Sequence, residues 1–230
     1  MRKVLQRPLG RVALGVATAV VIAIIAGSVY LFGGGKPSSG PVTVATLPPT
    51  QHGTIFTIDP SSSEASFTIN EVLFGQPNTV VGKTNKVAGQ IQLNTADASQ
   101  SQVGQIKVDL SALVTDNNLR NQTLQVRILE TDQPANQYAT FTPKSVTGIP
   151  WSVAIGLQVS FQITGDLTIH QVTRSVTFDA QVTEASATQL KGQAQATIKY
   201  SDYNLAIPNV PSVTSVSDTV VLKLTFTAHT

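Results

Sequence analysis

Residues 157–183 read LQVSFQITGDLTIHQVTRSVTFDAQVT, and this stretch decides the fold. Along 157–164 apolar residues alternate with Gln, Ser and Thr, and the same alternation resumes over 176–183. Strict period-two patterning is typical of a strand with one face in a core and the other in water. The pattern therefore predicts two strands joined by a turn through residues 170–173.

The chain on either side of this hairpin repeats the alternation. It recurs in further segments, namely 64–70, 87–93, 105–110, 193–198 and 220–227, and one more strand is expected around 140–146. Regular short strands with polar outer faces indicate an antiparallel sandwich or barrel. A parallel α/β sheet would show continuous apolar strands and intervening helices, which this sequence lacks. Residues 201–218 carry two prolines, which are excluded from central strands, and predict a long rim loop.

One segment favours a helix instead of a strand. Residues 116–130, DNNLRNQTLQVRILE, place Leu119 and Leu124 on one helical face. Asp116 or Asn117 is suited to cap the first turn, because both side chains accept hydrogen bonds from free helical N–H groups. The segment therefore predicts a short helix.

Composition excludes several classes of function. The sequence contains no cysteine, which rules out disulfides, thiolate metal sites and thiol nucleophiles. The net charge of +2 divides into +5 for residues 1–53, from five Lys and Arg, and −3 for residues 54–230, from ten Lys and Arg against thirteen Asp and Glu. A domain that binds nucleic acid through its phosphates is expected to be basic. Nucleic acid is therefore not an expected partner.

The N-terminal residues predict a membrane anchor. Residues 12–32, VALGVATAVVIAIIAGSVYLF, carry no charge and are long enough to cross a hydrocarbon core of about 30 Å. Four basic residues in 1–11 precede them, so the positive-inside rule predicts an internal N-terminus and an extracellular or periplasmic domain. Residues 33–53, rich in Gly, Pro, Ser and Thr, predict a flexible linker, and the domain is expected over 54–230. A cleaved signal peptide is the alternative, and it would also export the domain.

The search for catalytic groups yields no candidate. His52, His170 and His229 are the only histidines, and they fall in the linker, the hairpin turn and the C-terminus. The chain has no histidine or carboxylate spacing typical of a metal site, and no nucleotide-binding or nucleophile-elbow motif. Arg120 and Arg127 are expected on a solvated helix face. The sequence therefore predicts a non-enzymatic protein without a metal or cofactor.

The interior of the predicted barrel or sandwich contains small residues. Inward positions are occupied by Gly89, Ala180, Gly192, Ala194 and Ala196. Together with large inward residues they would leave an apolar slot, lined by Phe67, Phe161, Phe178 and Phe226. An eight-stranded barrel can fill its interior with side chains or hold one small ligand. A well-packed core without a slot explains the same pattern, and both interpretations stay open on the residues alone.

Several short segments together resemble the YceI-like family of polyisoprenoid-binding proteins. They are FTIDP at 56–60 with Ser63 and Phe67, VGK at 81–83 with VAGQI at 87–91, residues 118–124 with YATF at 138–141, GDLTIHQVTR at 165–174, and Tyr203 with VSDTV at 216–220. The most specific segment is 165–174, which is similar to the family pattern Gly-x-Leu-Thr-Ile-x-Gly-Val-Thr-Lys/Arg. Three residues depart from the family: Gln171 replaces glycine, Phe56 replaces tyrosine and Ala139 replaces proline.

The resemblance implies an all-β fold, an eight-stranded antiparallel lipocalin-like barrel. The residues themselves add one short helix and, before the barrel, a single transmembrane helix. It also implies a long apolar cavity for an isoprenoid chain, such as a quinone tail or a polyprenyl lipid. We expect a membrane-anchored, extracytoplasmic binding or carrier protein. A structural or protein-interaction β-domain with a filled core is the alternative. The residues expected to line the cavity are Phe67, Ile69, Ile91, Leu93, Leu124, Phe141, Leu157, Val159, Phe161, Ile163, Leu167, Phe178, Ala194, Ala196, Ile198, Leu222, Leu224 and Phe226.

Overall fold

The computed structural model describes residues 40–230. The basic segment 1–11, the transmembrane helix predicted over 12–32 and the first part of the predicted linker lie outside these residues. Within 40–230, no helix combines the length and the apolar character that a membrane-spanning helix needs.

The described chain is an all-β sheet of twelve strands with one short α-helix. The strands are β1 Gly53–Ile58, β2 Glu64–Leu73, β3 Gln76–Thr84, β4 Val87–Ala88, β5 Gln90–Asn94, β6 Gln102–Val103, β7 Ile106–Asp109, β8 Tyr138–Thr147, β9 Gln158–Ile169, β10 Val172–Ser186, β11 Gln189–Lys199 and β12 Val213–His229. Helix α1 spans Asn118–Thr123 and continues into a π-helical turn over Leu124–Ile128. Short 3₁₀ turns cover Pro60–Ser62, Ala98–Gln100, Leu110–Ala112, Pro134–Asn136 and Tyr200–Tyr203.

The strands pair antiparallel in the order β4-β7-β8-β9-β10-β11-β12-β1-β5-β6, and β2 joins β12 to β3. The sheet is a curled half-barrel. The prediction of eight strands is wrong, partly because the segment expected as one strand over 87–93 is divided at Gly89 into β4, which pairs with β7, and β5, which pairs with β1. Three segments that the periodicity did not identify, β1, β3 and β6, add further strands.

The hairpin predicted over 157–183 is present as β9 and β10. Its register is regular from the Ile169–Val172 pair to the Gln158–Thr183 pair. The turn contains two residues, His170 and Gln171, with φ of 48° and 62°. Positive φ at both positions is the geometry of a tight hairpin turn that matches the twist of the strands. The predicted four-residue turn was therefore too long.

Helix α1 lies where the sequence predicted a helix, and Asn117 is its N-cap. Oδ1 of Asn117 accepts hydrogen bonds from the N–H groups of Leu119, at 2.9 Å, and Arg120, at 3.1 Å. The side chain of Leu119 is 76% exposed. Leu124 lies one turn later and packs against the buried core.

The rim loop predicted over 201–218 is only partly a loop. Its first residues form the 3₁₀ turn Tyr200–Tyr203, and β12 already begins at Val213. Val213 pairs with Leu73 of β2, and the register of this pairing shifts between Val216 and Val220. Because both prolines precede β12, they do not interrupt its ladder.

The last residues of the predicted linker contact the sheet. The backbone N–H of Leu47 donates to Oε1 of Gln90 at 2.8 Å. Nε2 of Gln92 donates to the carbonyl oxygen of Pro48 at 3.0 Å. These two hydrogen bonds attach this end of the linker to β5, and strand β1 begins a few residues later.

Tyr203 is the largest side chain that is almost completely buried. Its hydroxyl has no hydrogen-bond partner among residues 40–230. Burial raises the pKa of this hydroxyl from 10.0 to about 12, against a smaller opposing effect of the nearby Arg174 charge. The folded state therefore retains the Tyr203 proton at a pH where the unfolded chain has lost it.

This difference predicts a loss of stability at alkaline pH. The contribution is fully present below pH 10, the pKa of an unfolded tyrosine, and is lost progressively as the pH rises towards 12. The Tyr203→Phe variant lacks the hydroxyl, so we expect the wild-type protein to lose about 2 kcal/mol relative to it across that range. Urea unfolding of both proteins at a series of pH values measures the difference. If the free energy of unfolding changes with pH in the same way in both proteins, the raised pKa of Tyr203 is contradicted.

Candidate functional site

The half-barrel contains a cavity of about 660 Å³ whose wall is almost entirely apolar. This volume lies in the range typical of small-molecule binding sites, which are roughly 300–1,000 Å³. Residues from the sheet, helix α1 and the loop before β12 form the wall. Of the two interpretations that the residues left open, the structure favours the slot over the filled core.

Most of the residues predicted to line a cavity do line it. They are Phe67, Ile69, Ile91, Leu93, Leu124, Phe141, Val159, Phe161, Ile163, Leu167, Phe178, Ala194, Ile198, Leu222, Leu224 and Phe226. Phe141 and Phe178 make an edge-to-face contact, with ring centroids 4.8 Å apart. The structure shows that these sixteen residues line the cavity, whereas their role in binding a ligand is a prediction.

Two predicted residues, Leu157 and Ala196, are absent from the cavity wall. Leu157 precedes the first residue of β9, and its side chain is 57% exposed in the loop after β8. Ala196 is on the inner face of β11, but its side chain is buried in packing contacts. The alternation correctly placed Ala196 on the inner face of β11, but it did not predict that packing closes the cavity there. It also did not predict that β9 begins only after Leu157.

The small residues do not all leave space. A Cβ atom added to Gly82 would overlap the ring of Phe67, and one added to Gly192 would lie 2.9 Å from Cζ of Phe226. These glycines therefore accommodate aromatic rings. Ala180 and Ala194, in contrast, are part of the cavity wall, and they face each other across β10 and β11. Of the small inward residues that the sequence predicted, Ala180 and Ala194 therefore line the slot, whereas Gly192 makes room for a ring.

The cavity reaches solvent beside helix α1. Three large apolar side chains line it and are also exposed, namely Phe74 at 80%, Leu119 at 76% and Val210 at 40%. They come from the β2–β3 turn, helix α1 and the loop before β12. The backbone N–H of Phe74 donates to the carbonyl oxygen of Ser212 at 2.8 Å, which joins two of these elements. We call this rim, formed by Phe74, Leu119 and Val210, the mouth.

An ion-pair cluster lies at the mouth. Nη2 of Arg120 is 3.1 Å from Oε1 of Glu71, and Nη1 is 2.5 Å from Oδ1 of Asp116. Nδ2 of Asn78 also donates to Oε1 of Glu71, at 2.8 Å. Arg120 and Glu71 both line the cavity. The expectation that Arg120 lies on a solvated face is therefore wrong.

The sequence offered only a partial signal for this cluster. Asp116 and Arg120 are four residues apart on a helix, a spacing that brings side chains together. Glu71 is 49 residues from Arg120 in the chain, and no local pattern connects them. Other wall residues were missed because they lie in segments without periodicity, such as Ile149 and Val153 after β8 and Leu205 before β12.

The histidines do not line the cavity. Nε2 of His170 is 3.4 Å from Oε2 of Glu130, at the β9–β10 turn. Within residues 40–230, His, Asp and Glu side chains do not gather into a group that could hold a metal ion. The arrangement of the site is therefore suited to enclosing an apolar molecule with a small polar end near Arg120.

The sequence profile of the YceI-like domain matches residues 56–228. The fold is similar to that of a polyisoprenoid-binding domain from Saccharophagus degradans implicated in plant cell wall breakdown, with 21% identity, a TM-score of 0.58 and coverage of 76% of this chain and 97% of that one. It is also similar to BcnA of Burkholderia cenocepacia, with 20% identity, a TM-score of 0.58 and coverage of 74% and 98%.

A third similar structure is the YceI protein of Campylobacter jejuni, with 19% identity, a TM-score of 0.51 and coverage of 65% of this chain and 84% of that one. At these identities the likeness concerns the fold. No curated protein matches the sequence at a significant level.

Proposed function

Because the chain belongs to the YceI-like family, we propose that its half-barrel binds an apolar isoprenoid lipid, of the polyprenyl or quinone type, inside the cavity. The observation that carries this proposal is the apolar cavity of about 660 Å³ with a mouth beside helix α1. The Saccharophagus degradans domain, which is named for polyisoprenoid binding, supports the ligand class.

The driving force for binding is the removal of the isoprenoid chain from water. Each buried methylene contributes about 0.8 kcal/mol before the costs of association are subtracted. The wall offers few polar groups, so specificity rests on the shape of the cavity and on the contacts at the mouth. Affinity is therefore expected to rise with chain length until the cavity is filled.

A titration with isoprenoid alcohols of increasing length tests this expectation. The full-length protein is loaded with an apolar fluorophore such as N-phenylnaphthylamine, which geraniol, farnesol and geranylgeraniol then displace. Each added isoprene unit should strengthen binding by about tenfold or more until a plateau is reached. Affinities that do not depend on length, or an absence of saturable displacement, would contradict the proposal.

We also propose that the protein works at a membrane, with the domain outside the cytoplasm. The support is the sequence of residues 12–32 and the basic residues before it. An anchored domain outside the cell membrane should be degraded by protease added to intact cells or spheroplasts and should sediment with membranes. A soluble cytoplasmic protein, resistant to added protease, would refute this localisation.

The proposed role is binding or carrying, without catalysis. His170 lies outside the cavity wall and contacts Glu130. His170→Gln should therefore leave isoprenoid affinity within about twofold of wild type. Conversion of a bound isoprenoid into a product by the wild-type protein would overturn the non-enzymatic role.

A further inference from the structure

The charges at the mouth are arranged around one arginine. Glu71 is held by two donors, Arg120 and Asn78, and only 8% of its side chain is exposed. Asp116 contacts the other side of the guanidinium and is largely exposed. One positive and two negative groups give the cluster a net charge of −1. The charge of Glu71 is screened less than that of Asp116, because less of its side chain is in contact with water.

No other cation along the described wall compensates this charge. Lys223 is the remaining basic residue among the wall residues of 40–230, and its side chain is exposed on a strand where its neighbours Leu222 and Leu224 line the cavity. The other carboxylate of the wall, Glu184, pairs with Leu190 at the opposite end of the sheet from Glu71, so the charge at the mouth is that of the Arg120 cluster alone. A phosphate or diphosphate placed at the mouth would therefore meet more negative than positive charge.

Arg120 can still donate to an uncharged acceptor. A guanidinium carries five N–H groups, more than the two bonds to Glu71 and Asp116 use. A carbonyl or hydroxyl oxygen can accept such a bond without bringing a second anion next to Glu71. A neutral polar head can therefore accept a hydrogen bond from Arg120, whereas a charged head would also meet the two carboxylates.

We propose that the cavity selects isoprenoids with an uncharged, hydrogen-bond-accepting head, such as a quinone or a free alcohol, over phosphorylated isoprenoids. This inference rests on the proposed isoprenoid-binding function and adds the chemical class of the head. Selectivity comes from Glu71 and Asp116, which neutralise Arg120 and leave a net negative mouth.

Two ligands with the same chain and different heads test the proposal. Geranylgeraniol and geranylgeranyl phosphate are titrated against the fluorophore-loaded full-length protein at low and at high salt. The wild-type protein should bind the alcohol about tenfold or more tightly, and salt should reduce the difference. A double variant, Glu71→Gln with Asp116→Asn, keeps the side-chain sizes and leaves Arg120 without its carboxylates. It should bind the phosphate at least about tenfold more tightly than wild type does.

The matched control changes the net charge by the same amount as the double variant, but at positions away from the cavity. Glu64→Gln with Asp179→Asn removes two exposed carboxylates that are absent from the wall. This variant should keep the wild-type preference. Equal or tighter binding of the phosphate by wild type would overturn the selectivity while leaving isoprenoid binding intact. Failure of both ligands to displace the fluorophore would instead overturn the proposed function and the selectivity together.

Discussion

Replacing Ala194 with tryptophan is expected to weaken isoprenoid binding by about a hundredfold or more. Ala194 lines the cavity on β11, opposite Ala180 of β10 and Leu224 of β12. An indole ring at this position would occupy space that the isoprenoid chain needs. Because the cavity has room for it, the variant should remain folded, with a free energy of unfolding within about 1 kcal/mol of wild type. Fluorophore displacement and urea unfolding measure the two effects.

The neighbouring residue provides the control for this substitution. Gln195 is exposed on the outer face of the same strand. Gln195→Trp introduces the same side chain and should bind isoprenoids with wild-type affinity. If Ala194→Trp also binds like wild type, the cavity is not the binding site, and a domain that works through its outer surface becomes the better account.

Substituting Gly165 is expected to produce the largest loss of stability. Gly165 pairs with Pro143 where β8 and β9 meet. A Cβ atom at this position would overlap the carbonyl oxygen of Thr142 and lie 2.8 Å from Cα of Pro143. Since both contacts are with backbone, a side-chain rotation cannot relieve them. We expect Gly165→Ala to cost about 3 kcal/mol, measured as a shift in the urea midpoint.

Ser175→Ala is the matched control on the adjacent strand. Ser175 is exposed and pairs with Asp166, one residue from Gly165. Its replacement should change the free energy of unfolding by less than about 0.5 kcal/mol. A Gly165→Ala protein as stable as this control would show that β8 and β9 do not approach as closely as described.

Periodicity was sufficient for the parts of the fold that depend on local patterning. The hairpin over 157–183 and the cap at Asn117 follow from short-range rules, because alternation and capping involve neighbours in the chain. The number of strands did not follow from these short-range rules. The break at Gly89 depends on which partner each half of the segment finds, β7 or β1, and the order of strands is a property of the whole sheet.

The candidate site was predictable in its apolar part and not in its polar part. Inward phenylalanines such as Phe161 belong to an alternating face and were identified from the sequence alone. The contact between Glu71 and Arg120 brings together a strand and a helix that are distant in the chain. Gly192 shows a second limit, because a small inward residue can accommodate a neighbouring ring instead of opening a cavity, and only tertiary packing decides between the two outcomes.

Native mass spectrometry of the full-length protein tests the central claim most directly. The protein is extracted gently from a host that makes its own quinones and polyprenols, with the Ala194→Trp variant prepared in parallel. We expect wild type to carry one bound isoprenoid, organic extraction to release it as an uncharged quinone or alcohol, and the variant to lack it. A ligand-free wild-type mass that stays unchanged after incubation with quinones and polyprenols would contradict the account.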